Sequence, residues 1–289
     1  MFVSAFTFAK NAVLFDYPVK EAILSVLPIC DEIIVLVGDC EDGTLELVSS
    51  INDPKIKIYR SIWNATLREG GKVLADETNK AFAYVDKRSD WVIYIQADEC
   101  LHENSHAAVL NTMRNCLQNQ NIEGLLVDFV HFYGSYDYVG DSPRWYRKEI
   151  RIIRNNPKIE SYKDAQGFRI DGRKLRVNDS GGIYHHYGWV KHPNVQKLKQ
   201  KEVNKLWHDD NWIETHIGAA EAFDYGNIDS LKHFAGSHPQ VIQQRIQRIN
   251  WHFDFDPTKR KLNFKYRLKL IVEKLFGFRP GEYKNYTKI

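Results

Sequence analysis

Residues 32–44 read EIIVLVGDCEDGT. Behind one acid runs an unbroken β-branched apolar stretch, the pattern of a strand buried on both faces. GDCEDGT then supplies turn formers, and helical spacing follows through about residue 51. A buried strand turning tightly into a helix is half of a βαβ unit, so the flanking sequence should repeat it. It does. Residues 2–8 read as a strand, Pro18 suits a first helical turn, and residues 19–27 carry helical spacing. KIKIYR at 55–60 is a third strand, a helix over 72–85 follows Gly70 and Gly71, and WVIYIQA at 91–97 is a fourth strand. This series predicts an α/β fold, a mostly parallel Rossmann-like sheet flanked by helices.

The second half is less regular. Residues 124–134 and 149–155 look like strands, around the aromatic and basic stretch YDYVGDSPRWYRK. DAQGFRIDGRKLRVNDSGG at 164–182 is turn-rich and leads into IYHHYGWVKHP at 183–193. From residue 194 the pattern is helical, and 259–276 reads as a basic helix with apolar faces. Such a helix is expected to pack its apolar stripe on its own domain and show lysines to water. The alternative is peripheral contact with an anionic membrane surface.

At 289 residues, 43% hydrophobic and 27% charged, the chain suits an ordinary soluble globular protein. A net charge of +3 gives no sign of a nucleic-acid binder. The four cysteines (Cys30, Cys40, Cys100, Cys116) show no CxxC pair, which fits reduced thiols in a cytoplasmic protein. The first residues do not read as a secretory signal, and no run is long enough to span a bilayer.

Ligands of parallel sheets collect beyond the carboxyl ends of the strands. Asp39, Asp42, Asp98 and Glu99 all follow strand ends, and acids gathered there repel unless a cation or donor-rich ligand shares them. Asp98 and Glu99 would bind a hard divalent cation, or else form a solvated loop before an acidic helix start. Asp39 would accept from a base or ribose, while Asp42-Gly43-Thr44 also suits a plain turn and helix cap. The pair Gly70-Gly71, with Arg68 and Lys72, would seat a phosphate at a helix start or form a loop. In the last strand-like segment, imidazole suits a metal and Trp189 suits stacking on a sugar or base, against a bland aromatic core strand. His185 and His186 are adjacent, so on a strand they face opposite ways and one at most should reach a shared site.

Taken in order, these segments resemble the family 2 glycosyltransferases of the GT-A fold. The matching text is FVSAFTFAKNA, then SVLPICDEIIVLVGDCEDGT, GGKVLADETN, the acidic stretch IQADE in the place of a DxD motif, and YHHYGWV. The resemblance covers residues 1–193 and implies a catalytic domain there, with 1–125 the nucleotide-sugar half and 126–193 the acceptor half. Residues 194–289 would be a helical C-terminal extension. It implies an inverting enzyme that moves a sugar from a nucleotide-diphosphate donor, a UDP-sugar, to an acceptor hydroxyl in glycan or polysaccharide synthesis. Mn2+ or Mg2+ would offset charge on the leaving diphosphate. On this reading Asp98 is the main metal ligand, with His185 or His186 completing the shell. Asp39, Asp42, Lys72, Glu99 and Trp189 surround the donor. The acceptor, a glycan, a lipid-linked or a small molecule, would lose its proton to a carboxylate, with Asp164 preferred over Asp141 and Glu160.

Two departures stand out. Gln96 occupies the first acidic position of the DxD motif, and GDCED replaces the usual DDGST text. The first leaves room for a non-catalytic nucleotide- or sugar-binding relative. A nucleotidyltransferase would need a Gly-rich first turn, which TFAKNA at 7–12 does not supply.

Overall fold

The computed structural model describes residues 1–289 apart from Ala65, Arg68, Gly218 and Ala219. The expected alternation is present as β1 (Val3–Ala9), α1 (Val19–Val26), β2 (Glu32–Val37), α2 (Thr44–Ser49), β3 (Ile56–Arg60), α3 (Lys72–Ala83) and β4 (Trp91–Tyr94). The four strands pair in parallel in the order β4-β1-β2-β3. Every residue of β2 and β4 is buried, the condition that a continuous apolar run satisfies. Successive side chains feed opposite faces. Ile33, Ile93 and Leu125 pack with Ile23 and Val109, whereas Ile34, Val92 and Ile153 pack with Ala81 and Phe168.

Next come β5 (Glu99–Leu101), α4 (His106–Cys116), β6 (Gly124–Tyr133), β7 (Ser135–Gly140) and β8 (Lys148–Arg154). β8 joins β4 antiparallel, and β6 and β7 extend the sheet through antiparallel ladders. The α/β sheet flanked by helices is therefore mixed: parallel on one side of β4 and mainly antiparallel on the other. A second, three-stranded sheet is formed by β9 (Ile159–Tyr162), β10 (Gly167–Ile170) and β11 (Arg173–Lys174).

The stretch 164–182 is not simply turns. From Arg176 it belongs to β12 (Arg176–Trp189), which pairs in parallel with β6 and antiparallel with β5. A bulge between Asp179 and Gly182 shifts its register. Its ladder with β6 supplies backbone hydrogen bonds that its polar side chains gave no reason to expect.

The remainder holds α5 (Pro193–Asn204), α6 (Asp210–His216), β13 (Leu231–His233), α7 (Gln243–Gln247), α8 (Phe264–Phe276) and β14 (Thr287–Lys288). β13 adds to β7 and β14 to β12, so this segment is threaded into the main sheet as well as being helical. α8 begins at Phe264 rather than near 259, with the Asn263 side chain accepting from the Tyr266 N–H at 2.8 Å. The expected packing of α8 is reversed: Phe264, Leu268, Ile271 and Leu275 face solvent. No helix among the described residues is long and apolar enough to cross a membrane.

Candidate active site

A cavity of about 610 Å³ opens at the carboxyl ends of β1, β2 and β4. Phe8 and Ala9 come from the end of β1, Asp39 lies just past β2, and Gln96, Ala97 and Asp98 lie just past β4. Lys199, Glu202 and Val203 of α5 close the opposite wall. Asp39 and Asp98 thus share one cleft, although 59 residues separate them (98 − 39).

Asp98 is the electrostatic centre. Its Oδ2 lies 3.6 Å from His186 Nε2 and 3.6 Å from Lys199 Nζ. Burial pushes the carboxyl pKa up, but His186, Lys199 and Lys191 outweigh it and hold the group far below the usual carboxylate range. Lys191 is fully buried, donates to the Asp16 carbonyl at 2.9 Å, and sits 4.5 Å from the Tyr17 ring centre. Lys199 lies 4.7 Å from the same ring and donates to the Gly188 carbonyl at 2.9 Å. Burial lowers the pKa of both lysines; for Lys191 the neighbouring Lys199 lowers it further. Of the two, Lys199 alone pairs with Asp98 and reaches the cavity, where little water screens its charge. An anion would relieve it.

His186 is held by a second imidazole. His131 Nε2 lies 2.8 Å from the Tyr146 carbonyl, which accepts only, so that nitrogen carries the proton. Its bare Nδ1 then accepts from His186 Nδ1–H at 3.1 Å. Burial, with His186 adding to it, lowers the His131 pKa to about 3, so the ring stays neutral. With its proton on Nδ1, neutral His186 presents a lone pair at Nε2 to the Asp98 carboxylate. Both atoms are acceptors, and the same Asp98 oxygen also faces the Lys199 ammonium at 3.6 Å. Gly188 keeps that space open. A Cβ there would lie 2.6 Å from Asp98 Oδ2 and 2.7 Å from His186 Nε2.

A carboxylate oxygen and an imidazole fixed through its other nitrogen form a donor pair that fits a divalent cation. Phosphate oxygens and water would complete the shell, because the described residues contain no cluster of three such ligands.

The other sequence-predicted residues lie elsewhere. Glu99 is turned into the core, where Arg151 donates to its two oxygens at 2.8 and 2.9 Å. Asp42 accepts from the Leu14 and Thr44 amides and fixes the start of α2. Lys72 is exposed and paired with Glu69 at 3.0 Å. Gly71, at φ +69°, has no room for a side chain because Trp207 and Asp164 crowd it. Gly71 thus seats a packing contact, Gly70 has open space beside it, and Arg68 lies outside the described residues. His185 faces away from Asp98, bonded to the Tyr187 hydroxyl at 3.2 Å beside His102 and His238. Trp189 packs on Tyr133 and Phe223 at a separate hollow of about 380 Å³. Asp164 is half-buried on the turn before β10 and does not line the main cavity.

Sequence reasoning missed Lys10, Trp63, Lys191 and Lys199. Lys10 donates to Asp39 at 2.7 Å, and the Trp63 amide donates to the same oxygen at 3.1 Å. Burial raises the Asp39 pKa, and these bonds lower it further than burial raises it. Lys10 follows a strand end and could have been flagged by the same rule as Asp39. Nothing in the sequence distinguishes Lys199 from Lys197 or Lys201.

No family model matches the chain, and no curated protein does. Among solved structures the chain is similar to S. aureus TarS, at 12% identity and a TM-score of 0.37, over 70% of this chain and 39% of that one. It is similar to glucosyl-3-phosphoglycerate synthase from Mycobacterium tuberculosis, solved with Mn2+, UDP and phosphoglyceric acid. That match has 19% identity and a TM-score of 0.31, over 45% and 43% of the two chains. Mannosyl-3-phosphoglycerate synthase from Rubrobacter xylanophilus gives 22% and 0.30, over 47% and 42%. Likenesses at this level assign nothing to the chain. Its function has to be argued from its own residues.

Proposed function

We propose that the chain is a group-transfer enzyme acting on a nucleotide diphosphate, and specifically an inverting glycosyltransferase using a UDP-sugar. One observation supports this most: Asp39, Asp98 and Lys199 line the strand-end cavity together, with His186 beside Asp98. The diphosphate lies against Lys199, and the nucleoside extends toward Asp39 and Trp63. Asp98 and His186 would hold a Mn2+ or Mg2+ ion there. When bound, that ion offsets charge on the departing diphosphate. Lys199 does part of the same work, since it is fixed in place before the glycosidic bond breaks. His131 keeps His186 turned toward Asp98.

The acceptor hydroxyl, on a glycan, a lipid-linked or a small molecule, gives its proton to a carboxylate. For this base we retain Asp164, whose Cβ lies beside Gly71, two residues before the cavity-lining Val73. Kinetics of Asp164→Asn against Glu202→Gln, the latter altering an acid that lines the cavity, decide between the two. A reducing, cytoplasmic setting fits the four unpaired thiols.

The test is release of UDP from a panel of UDP-sugars and acceptors, with and without Mn2+, for wild type and Asp98→Asn. Loss of one fixed charge of this kind costs roughly 10²–10³ in rate. Equal turnover by both proteins would remove Asp98 from the mechanism. Tight UDP binding without turnover on any donor would favour the non-catalytic alternative that Gln96 suggests.

A further inference from the structure

We infer that α8 is an interfacial helix that seats the protein on an anionic lipid surface. At 100° per residue, Phe264, Leu268, Ile271 and Leu275 fall within a 60° stripe, by the helix's 3.6-residue turn. They are the solvent face, at 82%, 52%, 55% and 69% exposed. Phe276 and Phe278, at 69% and 54%, extend the apolar surface at the C-terminal end. A helix packed only for stability would turn this stripe inward. Here the opposite face is held to the body instead. Glu273 bonds Arg147 at 2.8 Å and Arg279 at 2.8 Å, and Arg147 also grips Glu282.

The charge pattern selects the occupant. Lys265 borders the stripe on one side, and Arg267 and Lys274 border it on the other; all three are exposed. The acid of the helix, Glu273, is turned inward and neutralised. An apolar stripe between two cationic borders matches acyl chains beneath anionic headgroups. A second copy of the chain is a poorer fit. A two-fold contact through this stripe would set cationic borders against each other. Membrane seating is independent of the catalytic reading, because α8 contributes nothing to the strand-end cavity.

The experiment is co-sedimentation of the full chain with vesicles of phosphatidylcholine alone or mixed with phosphatidylglycerol. Variants are Ile271→Asp with Leu275→Asp, and Lys265→Glu with Lys274→Glu. The side chains altered point to solvent, so both variants should keep the wild-type Tm. Wild type should bind the anionic vesicles at least tenfold better than the neutral ones and release several-fold at high salt. Each variant should lose tenfold or more. Wild-type sedimentation no greater with anionic than with neutral vesicles overturns the proposal, as does equal binding by the variants. A vesicle-indifferent dimer that Ile271→Asp splits overturns it in favour of a second copy.

Discussion

Replacing Glu99 by Gln separates a buried structural acid from a ligand of the site. Glu99 is fully buried, and Arg151, equally buried, gives it three contacts between 2.8 and 3.2 Å. The Gln96 amide also donates to it at 3.1 Å. The substituted side-chain amide would preserve the shape but leave the guanidinium without a counter-charge in the core. Breaking one side of such a pair costs about 3–5 kcal/mol. In a chain of 289 residues each kcal/mol lowers Tm by about 2 °C, so the drop should be about 6–10 °C. Scanning calorimetry and urea unfolding measure it, with UDP binding followed in parallel. Binding below the melting range should stay within about threefold of wild type, because Glu99 does not line the cavity. A double change, Glu99→Leu with Arg151→Met, should recover much of the loss, since an apolar pair of similar volume removes both charges. A Tm within about 1 °C of wild type, together with a tenfold loss of UDP affinity, would refute the reasoning and return Glu99 to the site.

Gly188→Ala should abolish the Mn2+-dependent part of UDP binding in calorimetry, because the new methyl group occupies the space between Asp98 and His186. Its stability cost should be about 1–3 kcal/mol, and unchanged metal dependence would contradict the role given to that gap. Lys199→Gln should weaken UDP binding about tenfold, or 1.4 kcal/mol, with a shallower salt dependence; an unaltered Kd would exclude contact with the diphosphate. Burial pushes the Glu149 carboxyl from 4.5 up to about 8, and its Oε2 has no hydrogen-bond partner. Between those values the folded chain holds a proton that the unfolded chain has released. Stability should therefore fall by a few kcal/mol as pH rises from about 4.5 to about 8, then level off. Glu149→Gln should flatten that slope in urea melts, and a slope the same as wild type would show that Glu149 does not carry it.

The parallel half of the sheet was legible because β2 and β4 are buried on both faces, which demands uninterrupted apolar residues and leaves a readable signature. The placement of Asp39 and Asp98 beyond strand ends was legible for the same reason. β12 was not. Its ladder with β6 satisfies much of that backbone whatever the side chains, so RVNDSGG carried no periodic signal.

By itself the sequence determined the strand–helix alternation, the acids at the strand tips, and the fact that the neighbours His185 and His186 face opposite ways. Only the tertiary structure decided which of Asp98 and Glu99, and which of the two histidines, belongs to the site. That choice follows from distant partners: the buried guanidinium of Arg151 draws Glu99 inward, and His131 holds His186 beside Asp98. The structure likewise chose Lys199 from a row of lysines and turned the apolar stripe of α8 outward. Periodicity specifies that a helix has an apolar side; what that side meets depends on surfaces supplied from elsewhere in the chain.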